Sequence, residues 1–211
     1  MNKNVRHLWL DLENTIITPV AEGWADAQMI NVQKVKAFID EFKPDHVHLF
    51  SFAIWNEWEL ARFKDSTKSM IERALNIKLN TLPRVNEDII PACCAVTGMM
   101  LSEVDFSQVN MYWGKHQAFR LFLMNYFKTI KNHDGVTVEV AFLDDDVINE
   151  TFEWPDLKVR GRILNIDMVP DPDPEALDRA LRSGLNNQGY SGRGVEKRIW
   201  DEVTNVNFSE P

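Results

Sequence analysis

Two short acidic runs hold the residues of this chain best suited to chemistry. Leu8-Trp9-Leu10-Asp11-Leu12-Glu13-Asn14-Thr15 is an apolar stretch that stops on two carboxylates one residue apart, and Leu143-Asp144-Asp145-Asp146 ends a second stretch on three more. Acids placed just past two buried parallel strands share the crevice at the strand ends. Two carboxylates about 4 Å apart repel by roughly 4 kcal/mol at an effective dielectric of about 20, so such a group requires a divalent cation, a lysine or protonation. The all-oxygen donor set points to a hard cation of the Mg²⁺ type.

Asp11, on a tight turn at a strand end, can act as a nucleophile toward phosphorus and form an aspartyl-phosphate. Glu13 can protonate the leaving oxygen and later deprotonate water, and Thr15 can hold the turn. An ordinary acidic turn is the competing reading, because Asp and Asn favour turns. Ser51 follows Val47-His48-Leu49-Phe50 and offers a hydroxyl to a phosphoryl oxygen; serines in such places more often cap the next element. Lys115 stands at the start of an amphipathic helix, against the macrodipole. Its ammonium group suits neutralising carboxylates and phosphate, with a solvated lysine as the alternative. Asp144, Asp145 and Asp146, with Asn149 following, supply one or two metal ligands or else a helix N-terminal charge cluster.

To meet in one crevice, these residues need alternating strands and helices, and the chain supplies them. Val5 to Leu10 reads as a strand. Gln33 to Phe42 places Val35, Phe38, Ile39 and Phe42 on one helical face, and Lys43-Pro44-Asp45 ends it. His46 to Phe50 is a second strand, and a polar-faced helix runs from about Asn56 to Ala74. Residues 76–114 show no clear pattern: Thr81-Leu82-Pro83-Arg84 is a loop, Pro91 to Met100 fits a strand or a helix, and the interval has room for a small cap. From Lys115, Phe119, Phe122, Leu123, Tyr126, Phe127 and Ile130 keep helical spacing as far as the turn Asn132-His133-Asp134-Gly135. Val136 to Leu143 is the next strand, a short helix follows, and Val159 to Ile166 is the last strand. Residues 1–170 therefore read as one α/β domain. Residues 171–211 read as an appendage made of a Pro-rich linker, a short helix from Glu175 to Arg182 and a Gly/Asn loop from Asn186 to Gly194.

Composition narrows the class. The 211 residues are 45% hydrophobic and 26% charged, with no apolar stretch long enough to span a bilayer, so a globular protein without a membrane segment is expected. The N-terminus lacks a secretory h-region, which places the chain in the cytoplasm. Lys plus Arg number 23 against 32 Asp plus Glu, and the formal charge of −9 makes nucleic acid an unlikely partner. Cys93 and Cys94 are adjacent in an apolar run and read as buried free thiols. Trp55 and Trp58 could stack on a base but are weighed as core, His46 and His48 as structural histidines, and His116 as a neighbour of the crevice. Gly189, Gly192 and Gly194 read as a flexible loop.

Taken in order, the motifs resemble those of the haloacid dehalogenase superfamily of phosphatases and phosphotransferases. Asp11-Leu12-Glu13-Asn14-Thr15 looks like the first motif, Ser51 the second, Lys115 the third, and Asp144-Asp145 with Asn149 the fourth, of the D-D-x-x-x-N form. The resemblance spans about Val5 to Asp167. It implies a three-layer α/β/α Rossmann-like sandwich with a mainly parallel sheet, and a Mg²⁺-dependent phosphomonoester hydrolase acting on a nucleotide or other small phosphorylated metabolite. In that scheme Asp11 is the nucleophile and a metal ligand, and Glu13 the acid/base and a ligand through its backbone carbonyl. Ser51 and Lys115 bind phosphate, and Asp144 and Asp145 serve the metal. Residues 17–27, with Trp24, would be a mobile flap. Glu13 departs from the usual second aspartate, although the enolase-phosphatase branch carries a D-x-E-x-T form. Its side chain reaches about 1.5 Å further, and misplacement of about 1 Å can cost roughly 10²-fold in rate. A non-catalytic interaction protein on the same fold is therefore the alternative, and a nucleic-acid end phosphatase a third reading that needs a basic groove.

Overall fold

A computed structural model describes residues 4–20, 23–104, 113–129 and 136–170. The appendage expected over 171–211, with its linker, helix and glycine loop, lies outside the described residues. The elements in chain order are β1 (Asn4–Leu10), α1 (Val32–Phe42), β2 (His46–Leu49), α2 (Glu57–Ser66), α3 (Lys68–Leu75), α4 (Ile90–Thr97), α5 (Gly114–Thr129), β3 (Thr137–Asp144), β4 (Glu150–Trp154) and β5 (Val159–Asn165). One five-stranded sheet has the order β2-β1-β3-β5-β4, parallel throughout except for β4, which runs antiparallel to β5. The protein is thus α/β with a mainly parallel sheet. Among the described residues no helix is long and apolar enough to cross a membrane.

Burial on both faces explains the near-continuous apolar strands. Leu8, Leu10, Ala141, Leu143 and Leu164 pack with the α1, α2 and α3 side, whereas Trp9, Val138, Val140, Phe142 and Ile163 pack with α4 and α5. The α5 face is aromatic, with Phe119 stacked on Phe142 and edge-on to Trp9 and Phe50. On this face His48 is buried, with Nε2 2.9 Å from His7 Nδ1 and its ring stacked on Trp9. Burial, reinforced by His7 and His46, pushes the His48 imidazole down to about 2, so it is a neutral structural histidine. Cys93 and Cys94 are free and buried, and burial raises the Cys93 thiol to about 12.

Two expectations are corrected. The helix expected from about 56 to 74 is two helices broken at Thr67, a buried residue whose hydroxyl donates to Trp24 O at 2.8 Å. The short helix expected after Asp146 is the strand β4. There Thr151 and Glu153 are exposed while Phe152 is buried, a period of two that a helix cannot satisfy. The undecided segment near Pro91 is helical: a π-helical turn, Val85–Ile89, leads into α4, which packs against α5.

Among the five cross-strand pairs that join β4 to β5, Phe152 stands opposite Gly161. The ring covers the glycine so closely that an added Cβ would collide with Cζ and lie 2.9 Å from Cε1. Gly161→Ala therefore forces Phe152 off its site and should cost about 1–3 kcal/mol, read as a lower urea midpoint at unchanged slope; a midpoint equal to wild type would refute the packing argument.

Candidate functional site

The backbone ladder continues one residue past the strands and so lines up the expected groups. Phe50 N–H donates to Leu10 O and Asp11 N–H to Leu143 O, each at 2.9 Å. Ser51 and Asp11 thereby follow β2 and β1, and Asp144 ends β3, at the same end of three adjacent parallel strands. After Asp11 the chain turns at once: Ile16 and Ile17 N–H both donate to Leu12 O, and Asn14 takes the left-handed conformation (φ 59°) that asparagine tolerates. This turn folds the Thr15 hydroxyl back to 3.3 Å from both Asp11 Oδ2 and Asp145 Oδ1.

Lys115 sits between the acids. Its Nζ lies 2.9 Å from Asp11 Oδ2 and 2.9 Å from Asp144 Oδ2. Both carboxylates are buried, and the lysine side chain is only 16% exposed. The solvated-lysine reading is thus excluded. Asp144 Oδ1 accepts the Asp146 N–H at 2.8 Å, but Asp11 Oδ1 is buried with no hydrogen-bond partner. Ligand oxygens of Asp11, Asp144 and Asp145 lie within 4.8 Å of one another.

One ammonium does not balance three carboxylates. Burial raises Asp11 from 3.8 to about 7; Lys115 opposes the shift and Asp144 adds to it. Asp144 is also raised by burial, against the pull of Lys115. Burial alone would lower Lys115, yet Asp11 and Asp144 outweigh it and hold the ammonium well above its usual value. The donor set is hard oxygen, the charge excess negative, and one buried oxygen unpaired, so these residues fit a Mg²⁺-type ion.

The other expected residues stand as follows. The Glu13 carboxylate is outside the three-acid group, and its Oε1 accepts the Val20 N–H at 2.7 Å. The Ser51 hydroxyl is buried and accepts the Ala53 N–H at 3.3 Å, the capping role its sequence context favours. His116 is drawn away to Glu150 (2.7 Å), which Arg120 also holds. Trp24, expected on a mobile flap, is buried edge-on to Phe63 with Nε1 bonded to Glu59. Trp55 and Trp58, weighed as core, are exposed. Two supporting amides escaped the sequence reading. Asn31 Nδ2 donates to Thr15 O at 3.0 Å. Asn165, at the end of β5, donates through Nδ2 to Asp145 O (2.8 Å) and Val147 O (3.1 Å), while its N–H donates to Asn149 Oδ1 (2.7 Å). Asn149 therefore fixes the acidic loop. A lone asparagine closing an apolar strand was the available signal for Asn165.

Comparison with protein-family models, with curated proteins and with solved structures gave no match to this chain.

A raised acid has a definite sign. Asp11 binds its proton more tightly folded than unfolded, so its contribution to stability is full below about 4 and is lost as pH rises to about 7. Relative to Asp11→Asn, the metal-free wild type should lose up to ~3 kcal/mol between pH 4.5 and 7.5. Parallel urea titrations of the two proteins check this; a constant difference across the window would contradict the buried-acid assignment.

Proposed function

We propose that this chain is a Mg²⁺-dependent phosphomonoester hydrolase of the haloacid dehalogenase type, acting through an aspartyl-phosphate. The observation that carries the reading is the Lys115 ammonium fixed between two buried carboxylates while Asp11 Oδ1 is left without a partner. Lys115 and Thr15 both engage Oδ2, so the other oxygen of Asp11 is the one available for bond formation. Asp11, Asp144 and Asp145 would hold the cation, which supplies positive charge for the phosphoryl oxygens.

In the first step an Asp11 carboxylate oxygen bonds to phosphorus, and the bond from phosphorus to the ester oxygen breaks. The departing oxygen takes a proton from Glu13. Water, losing a proton to Glu13, then attacks the same phosphorus, releasing inorganic phosphate and restoring the Asp11 carboxylate. Lys115 and Ser51, at the same strand ends, bind the phosphoryl oxygens. Glu13 is assigned the proton transfer by the resemblance, and one of its oxygens accepts the Val20 N–H.

Turnover of p-nitrophenyl phosphate in Mg²⁺ buffer tests the reading. Asp11→Asn should lose at least ~10³-fold with an unchanged circular dichroism spectrum. Glu13→Gln, which keeps an acceptor for the Val20 N–H, should lose about 10²–10⁴-fold. A wild type that releases no phosphate from a broad phosphomonoester panel and binds no beryllium fluoride in Mg²⁺ would favour the non-catalytic alternative instead.

A further inference from the structure

Five large apolar side chains are exposed among the described residues: Trp55, Trp58, Met100, Leu101 and Ile148. Single exposed apolar residues are ordinary on any surface, but these five share one end of the molecule. Trp55 and Trp58 lie on the chain leaving the carboxyl end of β2, four and seven residues past Ser51. Ile148 lies on the chain leaving β3, four residues past Asp144. Met100 and Leu101 arrive there by another route. Cys93 Sγ meets Ala118 O, whereas Pro91 and Ala92 share a cavity of about 470 Å³ with Asn125 and Tyr126, so α4 runs antiparallel to α5. The chain leaving α4 therefore returns to the end of α5 that carries Lys115. Because β1 lies between β2 and β3, Asp11 has the tryptophan loop on one side and the Ile148 loop on the other.

Ordered backbone holds this apolar collar in place. Val85 N–H donates to Ile54 O (2.9 Å) and Asn86 N–H to Trp55 O (3.0 Å). On the far side, Asn165 grips Asp145 O, Val147 O and Asn149 Oδ1, so the residue between the last two is pinned. Val147 points inward and is buried, while Ile148 is 80% exposed. A rigid loop that keeps an isoleucine in water forgoes apolar burial unless something covers it. Exposed Asp146 and half-buried Asp145 precede Ile148, and the Arg62 guanidinium over Trp58 is itself paired with Glu59, so the side of the collar nearest the acids disfavours a second anionic group.

We infer that the collar receives the organic part of the phosphomonoester, and that this part is apolar and uncharged, an aromatic or branched hydrocarbon rather than a sugar or a nucleoside polyphosphate. The inference rests on the hydrolase reading. A phosphoryl group at Asp11 would present its leaving group at the strand ends, where the loops carrying Trp55 and Ile148 follow the strands on either side of β1. The collar recognises the leaving group by burial, and the acid cluster recognises the phosphoryl group by charge.

Benzyl phosphate and ethyl phosphate, whose leaving alcohols are similarly basic, separate burial from chemistry. In Mg²⁺ buffer, kcat/KM should favour the benzyl ester at least tenfold, chiefly through KM, and Ile148→Ser should lower that ratio at least threefold. Ile148 is exposed, so the variant is expected to fold. Turnover of both esters at equal kcat/KM, a preference for glycerol phosphate or ADP, or a ratio unmoved by both Ile148→Ser and Trp55→Ser overturns the inference and leaves the hydrolase reading standing. If no phosphomonoester is turned over, the hydrolase reading fails and calorimetry decides the collar alone. Benzylphosphonate binding tenfold tighter than methylphosphonate supports it, and equal affinities overturn it.

Discussion

The rest of this structure is arranged around one buried ammonium between two buried carboxylates. Removing Lys115 from Asp11 and Asp144 would leave like charges facing each other away from water, a situation costing several kcal/mol per uncompensated ion. Each partner comes from a different element, so the constraint is tertiary. β1 must lie beside β3 to bring Asp11 next to Asp144, and α5 must cross the same edge of the sheet to deliver Lys115. The aromatic packing of Phe119 on Phe142, one turn along α5 from Lys115, fixes that crossing.

Charge balance in the site is incomplete by design of the residue types rather than by accident of placement. Lysine neutralises one carboxylate, and the surplus appears as acids held above their ordinary range by burial. A bound divalent cation would relieve the same surplus. The loops that bear the acids are stiffened by side-chain amides. Asn14 supplies the left-handed turn, Asn31 holds Thr15, and Asn165 with Asn149 clamps the segment from 145 to 149. These bonds keep exposed residues such as Ile148 in fixed positions beside the acids.

Much of this was legible in the residues. The alternation of apolar runs and helical periods gave the order β1, α1, β2 and the placement of α5 and β3 to within a residue or two. The acids at two strand ends and the lysine opening α5 were identified from type and position, and the structure brings Asp11, Lys115, Asp144 and Asp145 together. β4 was misread because its five residues are too short for periodicity to separate strand from helix, and its seat depends on Gly161, a partner on another strand. Trp55 and Trp58, weighed as core, are exposed, and Trp24, expected on a flap, is buried. Whether an aromatic ring faces core or solvent is set by what packs against it: Trp24 is buried against Phe63, whereas Arg62 lies over the exposed Trp58 ring.

The sequence by itself determined which elements form and which residues end them, because propensity, apolar period and turn chemistry act over a few neighbouring residues. It also determined that the acids would need a counter-charge, since that follows from Coulomb repulsion alone. Tertiary structure decided which charge answers which. Only the strand order and the crossing of α5 set the 2.9 Å contacts of Lys115, sent Glu13 to Val20 and His116 to Glu150, and left Asp11 Oδ1 unpaired. Distances between residues a hundred positions apart depend on packing across the whole sheet, and no local pattern carries that information.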